Sequence, residues 1–200
     1  MTKTIETIQT SSADECGIVA TFSEQSLNNL MDIQDRLSEC LGDAIWLTPR
    51  RALHSTLMEI ICDIEYPVPR HEVFAKWYTQ YGLSVNKILS EIQIFEISFS
   101  EIEVSERTII VRSATSDSFN SIRSQLLSEI DLPKGTKLPP DITHCTLARY
   151  KRSLDLENVI ASTQHLRCDF TEHIVTFELL KDLGPPSFDP KTIAEYSLQA

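Results

Sequence analysis

His54-Ser-Thr-Leu57 and His144-Cys-Thr-Leu147 are two copies of one pattern, His-x-Thr-Leu, with the histidines 90 positions apart. In a β-strand successive side chains point to opposite faces. His54 and Thr56 then share one face, and Ser55 and Leu57 the other. His144 and Thr146 likewise share a face, with Cys145 and Leu147 behind them. Each strand offers an imidazole and a hydroxyl on one side and a small or apolar packing surface on the other. Two such strands brought together place two imidazoles and two hydroxyls around one cleft.

Working outward, Gly17 to Phe22 reads as a strand, and Ser23 is the natural N-cap of a following helix. Leu27, Leu30, Met31, Leu37 and Leu41 fall at helical spacing, and Gly42 suits the C′ position. The first tetrad lies on a strand from Leu53 to Cys62. Val73, Phe74, Trp77, Tyr78 and Tyr81 predict a helix over Pro69 to Tyr81 that ends at Gly82, with a second short helix over Val85 to Leu89. Phe95, Ile97 and Phe99 alternate as a half-buried strand does, and the slip of phase to Ile102 and Val104 marks a bulge. Ser105-Glu106 turns into a strand from Arg107 to Arg112. Phe119, Ile122, Leu126, Leu127 and Ile130 form a helix capped by Ser116 or Asp117. Pro133 to Pro140 is a loop, and Asp141 to Tyr150 carries the second tetrad. A helix around Leu156 to Leu166, a long strand from His173 to Leu183, a Gly184-Pro-Pro-Ser turn and an edge strand from Ala194 to Leu198 complete the chain.

This order hides a repeat. Strand, helix and His-x-Thr strand occur over about 18–60 and recur over about 108–150. A duplicated α+β lobe with pseudo-twofold symmetry is the simplest explanation. No Gly/Ser-rich linker separates the halves, so one domain over 17–200, behind a flexible tail at 1–16, is expected.

Composition bounds the function. Apolar residues make up 42% and charged residues 24%, as in ordinary globular chains. No apolar run approaches the roughly 18 residues of a membrane span, and the first 14 residues lack a signal-peptide pattern. A cytoplasmic monomer without membrane contact is expected. The five cysteines, at 16, 40, 62, 145 and 168, form no Cys-x-x-Cys pair and read as buried free thiols. A net charge of −11 argues against a duplex binder, which depends on many phosphate contacts. A nucleotide, or the end of one RNA strand, needs only a local basic patch.

An imidazole titrates near pH ~6.5, so it can give or take a proton at neutral pH. A pair flanking one phosphorus can divide the work. One takes a proton from the attacking hydroxyl or water, and the other protonates the departing ribose oxygen. Threonine hydroxyls can hold the non-bridging oxygens. No metal or other cofactor is needed for this scheme, and the sequence has no His-x-x-x-His and no Cys/His ligand set.

The paired tetrads resemble those of the 2H phosphoesterase superfamily, in particular its branch similar to 2′-5′ RNA ligases and 2′,3′-cyclic phosphodiesterases. Trp46-Leu-Thr-Pro-Arg-Arg-Ala-Leu-His-Ser-Thr-Leu57 resembles that family's lead-in to the first tetrad. Asp141-Ile-Thr-His-Cys-Thr-Leu-Ala-Arg149 resembles its second motif, except that Thr143 stands where proline is common. The resemblance covers about residues 17–200. It implies a bilobed duplicated α+β fold, with two antiparallel sheets facing a central cleft and helices outside. It implies a phosphodiesterase acting on 2′,3′-cyclic phosphates or 2′-5′-linked ribonucleotides and RNA ends. Carried over, His54 and His144 are the catalytic pair; our expectation beside it is that His144 activates the nucleophile and His54 protonates the leaving oxygen, the roles exchanging in the reverse reaction. Thr56 and Thr146 orient the phosphate. Two alternatives stay open: hydrolysis of small cyclic or 2′-5′ oligonucleotide signals, and a binding module that senses a nucleotide or RNA end without turnover.

Further candidates have plainer readings beside the functional one. Arg149 can face a substrate phosphate, although strict alternation puts it on the Leu147 side unless the strand bulges. Trp46 and Tyr150 can stack a base or pack in the core. Phe188 is a stacking candidate in the Gly-Pro-Pro loop. Cys145 is turned away from the tetrad face and is not read as a nucleophile. His71, His165 and His173 lack the following threonine and read as surface or structural residues.

Overall fold

The computed structural model describes residues 14–138, 141–183 and 189–200. In chain order the elements are β1 (Cys16–Thr21), α1 (Glu24–Leu41), β2 (Ile45–Leu47), β3 (His54–Ile61), α2 (Arg70–Ser90), β4 (Phe95–Val104), β5 (Thr108–Ser113), α3 (Asp117–Glu129), β6 (His144–Tyr150), α4 (Leu156–Thr163), β7 (Phe170–Ile174), β8 (Thr176–Lys181) and β9 (Lys191–Ser197). The fold is α+β. The strands form one sheet in the order β7-β4-β5-β6-β3-β1-β8-β9, with short β2 on β6. Every pairing between these strands is antiparallel.

The two sheets expected from the sequence are the two halves of this one hydrogen-bonded sheet. They join where β3 meets β6, through the single pair Ser55 and Cys145, the residues that follow the two histidines. The Ser55 hydroxyl donates to the His144 carbonyl there, at 2.7 Å. The repeat is visible on either side of this seam. β1 pairs with β3 as β5 pairs with β6. The strand that ends each unit crosses over: β4 pairs with β5 of the second unit, and β8 pairs with β1 of the first.

Local chemistry explains several boundaries, although the N-cap of α3, Ser116, makes no side-chain capping bond. Ser23 caps α1 by accepting from the Ser26 N–H at 3.3 Å, and Gly42 leaves the helix at φ 55. The phase slip in the Phe95–Val104 strand is a register shift between Phe99 and Glu101. Two expectations change. Gly82 does not end a helix: α2 runs unbroken from Arg70 to Ser90. A mid-helix glycine costs about 1 kcal/mol relative to alanine, and burial of Trp77, Val85, Ile88 and Leu89 on both sides of it offsets that cost. Likewise the long strand after His173 is two strands. The chain pairs with β4 up to Ile174, then leaves at Val175 to pair with β1 and β9. One segment thus serves both ends of the sheet.

The core lies between the sheet and the helices. α1 buries Leu30, Ile33 and Leu37, and α3 buries Phe119, Ile122 and Leu126. They meet Leu57, Met58, Leu147, Phe99 and Phe177, all fully buried. Full burial of such a side chain stabilises the fold by about 1.5–3 kcal/mol. α1 packs on β6 and β7, and α3 packs on β3, so each unit's helix covers the other unit's half of the sheet. Among the described residues no helix is long and apolar enough to cross a membrane.

Candidate active site

The unburied face of the β3–β6 seam carries the tetrad residues. His54 and Thr56 are half-buried, with Ser55 and Leu57 buried behind them. His144 and Thr146 repeat the pattern, with Cys145 and Leu147 behind. The alternation read from the sequence is the alternation of the strands. The four side chains line one cleft of about 180 Å³, with Trp46, Thr48, Glu59, Arg149 and, at one end, Glu15 and Leu183.

Arg149 reaches this cleft because β6 bulges. Ile110 pairs with Thr146 and the adjoining Ile109 with Ala148, so Leu147 is the extra residue. The bulge resets the alternation, buries both Leu147 and Ala148, and returns Arg149 to the face of His144. β3 does the same. Val19 pairs with Thr56 and Ile18 with Met58, leaving Leu57 as the extra residue and returning Glu59 to the cleft. Glu59 and Arg149 are themselves 90 positions apart. The repeat that reveals the histidines therefore locates Glu59 as well, although sequence reasoning passed over it.

The other candidates divide. Trp46 lies directly opposite Arg149 in the β2–β6 pair and lines the cleft. Tyr150 does not: it is fully buried, and its hydroxyl donates to the Ser105 carbonyl at 3.2 Å. The same bulge that brings Arg149 forward turns Tyr150 into the core. Phe188 lies outside the described residues. Thr48 was also missed, although strand alternation places it with Trp46.

The His54 imidazole is oriented from the residue two before it. His54 Nδ1–H donates to the Ala52 carbonyl at 2.8 Å, so Nε2 carries the lone pair. At His144 the Ile142 backbone, also two residues before the ring, favours the charged form. Burial pushes the His54 imidazolium down from the ordinary 6.5 to about 4, against the Ala52 bond, and the positive fields of His144 and Arg149 add to the fall. His144 is also lowered, by burial first and then by the Arg123 charge, but Glu103 opposes this. Burial lowers Arg149 too, and Glu15 opposes it. Both histidines are thus mainly neutral in the free cleft near pH 7, and an arriving anion raises both. Among the described residues, no three His, Cys, Asp or Glu side chains are grouped to hold a metal ion.

No protein-family model and no curated protein matches the chain by sequence. Solved structures do match by fold. Escherichia coli LigT in complex with ATP superposes with a TM-score of 0.63 at 11% identity, covering 94% of this chain and 100% of LigT. The chain has the LigT fold. TT0787 of Thermus thermophilus follows at 0.62 and 14% identity, covering 93% and 98%. The MHV ns2 PDE domain follows at 0.53 and 16%, covering 85% and 99%. These neighbours are proteins of the superfamily that the two tetrads resemble. LigT has also been crystallised with 3′-AMP and with phosphate. The LigT fold accounts for nearly the whole described chain.

Proposed function

We propose that this chain is a 2H phosphoesterase, a phosphodiesterase that opens 2′,3′-cyclic phosphates or cleaves 2′-5′-linked ribonucleotides and RNA ends by paired-histidine acid–base catalysis. One observation carries the reading: two imidazoles, two threonine hydroxyls and one guanidinium line a single cleft on a LigT fold. A substrate phosphate between the histidines would meet Thr56 and Thr146 as hydroxyl donors and Arg149 as a counter-charge. That neighbours have been solved with ATP, 3′-AMP and phosphate supports a nucleotide substrate.

The electrostatics favour a division of labour opposite to the one expected at the outset. His54 is strongly disfavoured as a cation and points a bare Nε2 away from Ala52, which suits a base. His144 has Glu103 in its field and charges more readily when an anion binds, which suits an acid. In hydrolysis of a cyclic phosphate, His54 Nε2 takes a proton from water as its oxygen bonds to phosphorus. The bond from phosphorus to the ribose 3′ oxygen breaks, and His144 supplies the proton that oxygen needs. A 2′-phosphate remains. The roles exchange in the reverse reaction.

The deciding experiment assays 2′,3′-cyclic mononucleotides, 2′-5′ oligoadenylate and cyclic dinucleotides in EDTA. Turnover that His54→Ala and His144→Ala each nearly abolish, with folding intact, is the expected result. Near-wild-type turnover in either variant, or loss of activity on chelation, overturns the scheme. Binding without turnover would make the cleft a sensor.

A further inference from the structure

The bulges at Leu57 and Leu147 bring the cleft together and turn a buried carbonyl at each towards the helices, that of Leu147 also accepting from the Thr48 N–H at 2.9 Å. In each case a side chain from behind the sheet supplies a donor. Arg123 Nε donates to the Leu57 carbonyl at 2.8 Å, and Nη2 donates to that of Thr56 at 2.9 Å. Gln34 Nε2 donates to the Leu147 carbonyl at 2.8 Å and to that of Thr48 at 2.8 Å. Both donors are buried, Gln34 to 1% exposure and Arg123 to 4%. They occupy corresponding helices: Gln34 on α1 grips β6, and Arg123 on α3 grips β3.

We propose that Gln34 and Arg123 are positioning residues that lock the two bulges from opposite units, fixing the orientation in which Thr56, Thr146 and Arg149 present themselves to a phosphate. A purely space-filling role would be met by leucine or methionine and would need no donor aimed at these carbonyls. The two clamps differ in charge. Arg123 Nη2 also reaches the Ile142 carbonyl at 3.5 Å, two residues before His144, which brings a buried cation near that ring; the other titratable and charged groups facing it are Glu103, Arg149 and the neutral His54, with Arg112 opposite it on β5. Gln34 brings none. The geometry therefore assigns Arg123 a second effect, on the proton affinity of His144, that Gln34 lacks.

The inference rests on the phosphodiesterase reading only for its kinetic consequence, so its test uses inorganic phosphate and ring titration. Gln34→Met, Arg123→Met and Arg123→Lys are compared with wild type at a temperature where circular dichroism shows each folded. Phosphate binding, by calorimetry, should weaken about tenfold in both methionine variants, the worth of one hydrogen bond. Arg123→Lys should recover part of it. The His144 ring, followed by NMR, should titrate higher in Arg123→Met, stay near wild type in Arg123→Lys, and be unmoved in Gln34→Met. Wild-type phosphate affinity in both Gln34→Met and Arg123→Lys, with wild-type titration of His144 in Arg123→Met, would overturn the proposal. Should Arg123→Met fail to fold, phosphate affinity in the other two variants decides. A wild-type protein that cleaves no phosphodiester would defeat the functional reading while leaving these binding and titration results to decide this one.

Discussion

The Ser55 hydroxyl donates to the main-chain carbonyl of His144 across 2.7 Å, tying the middle of one tetrad to the head of the other. The two strands share one Cα pair at this point, so the side-chain bond carries much of the seam. Ser55→Ala leaves the buried carbonyl without that donor, which should cost about 1–3 kcal/mol. Urea unfolding measures this. Ser55→Cys, which copies the second tetrad, should recover the packing but little of the bond, because a thiol donates weakly. A Ser55→Ala protein as stable as wild type would show that the seam holds without the hydroxyl.

Arg149 is expected to hold substrate phosphate. Arg149→Met should lower kcat/KM by about 10²-fold, the size of a lost preorganised donor. Arg149→Lys should recover only part, since an ammonium lacks the planar fork. Steady-state kinetics on a cyclic nucleotide gives both values. Wild-type kinetics in Arg149→Met would remove it from the phosphate seat.

Arg149 also shows how far the sequence could be read. The tetrads, their facing side chains and the repeat were legible because alternation and a spacing of 90 are simple periodicities. A β-bulge breaks the period without leaving a characteristic residue, so strict alternation put Arg149 behind the strand and left Tyr150 open to the cleft. Gln34 and Arg123 were illegible for another reason. They lie on helices whose apolar stripes read as core, and a helix pattern does not show which distant carbonyl a polar side chain will reach. The break at Val175 was hidden because both flanking stretches are good strands, and only tertiary pairing separates them.

Thiol chemistry should spare the cleft. Cys145 is fully buried behind the tetrad, and burial pushes its thiol well above the usual range. Cys16 lines one end of the cleft but is only 2% exposed, and burial pushes it up to about 12. The thiolate is the reactive form. Cys40 is the half-exposed cysteine, in contrast to the other four, which are buried. Iodoacetamide at pH 7 should therefore label Cys40 in the native protein, as mass spectrometry would show, with turnover unchanged. Inactivation matched to labelling of Cys145 or Cys16 would contradict the burial of those thiols.

The pH dependence of kcat/KM should peak on the acid side of neutrality. This profile reports the free enzyme. A base at His54 is lost only as pH falls towards about 4. An acid at His144 is lost as pH rises through a value below the ordinary 6.5. The rate should therefore fall between pH 6 and 8, and kcat, which reports the anion-loaded complex, should hold to higher pH. A flat profile, or a kcat/KM maximum above pH 8, would contradict the neutral pair.

The same burial should make the fold sensitive to mild acid. The unfolded His54 binds a proton near the ordinary 6.5, whereas the folded one resists until about 4. Between those values the unfolded state holds more protons, so stability rises with pH. The sign is definite: above 6.5 both states are neutral at this position and nothing is lost, while stability drains away as pH falls through 6.5 towards 4. His144, lowered for the same first reason, acts in the same direction. His54→Gln cannot take up that proton. Its Tm should consequently fall less than that of wild type between pH 7 and 5, with carboxylate titration common to both proteins. Parallel Tm curves for the two proteins over that interval would mean that His54 is solvated well enough to charge in the folded state, and the assignment of His54 as the base would lose its electrostatic support.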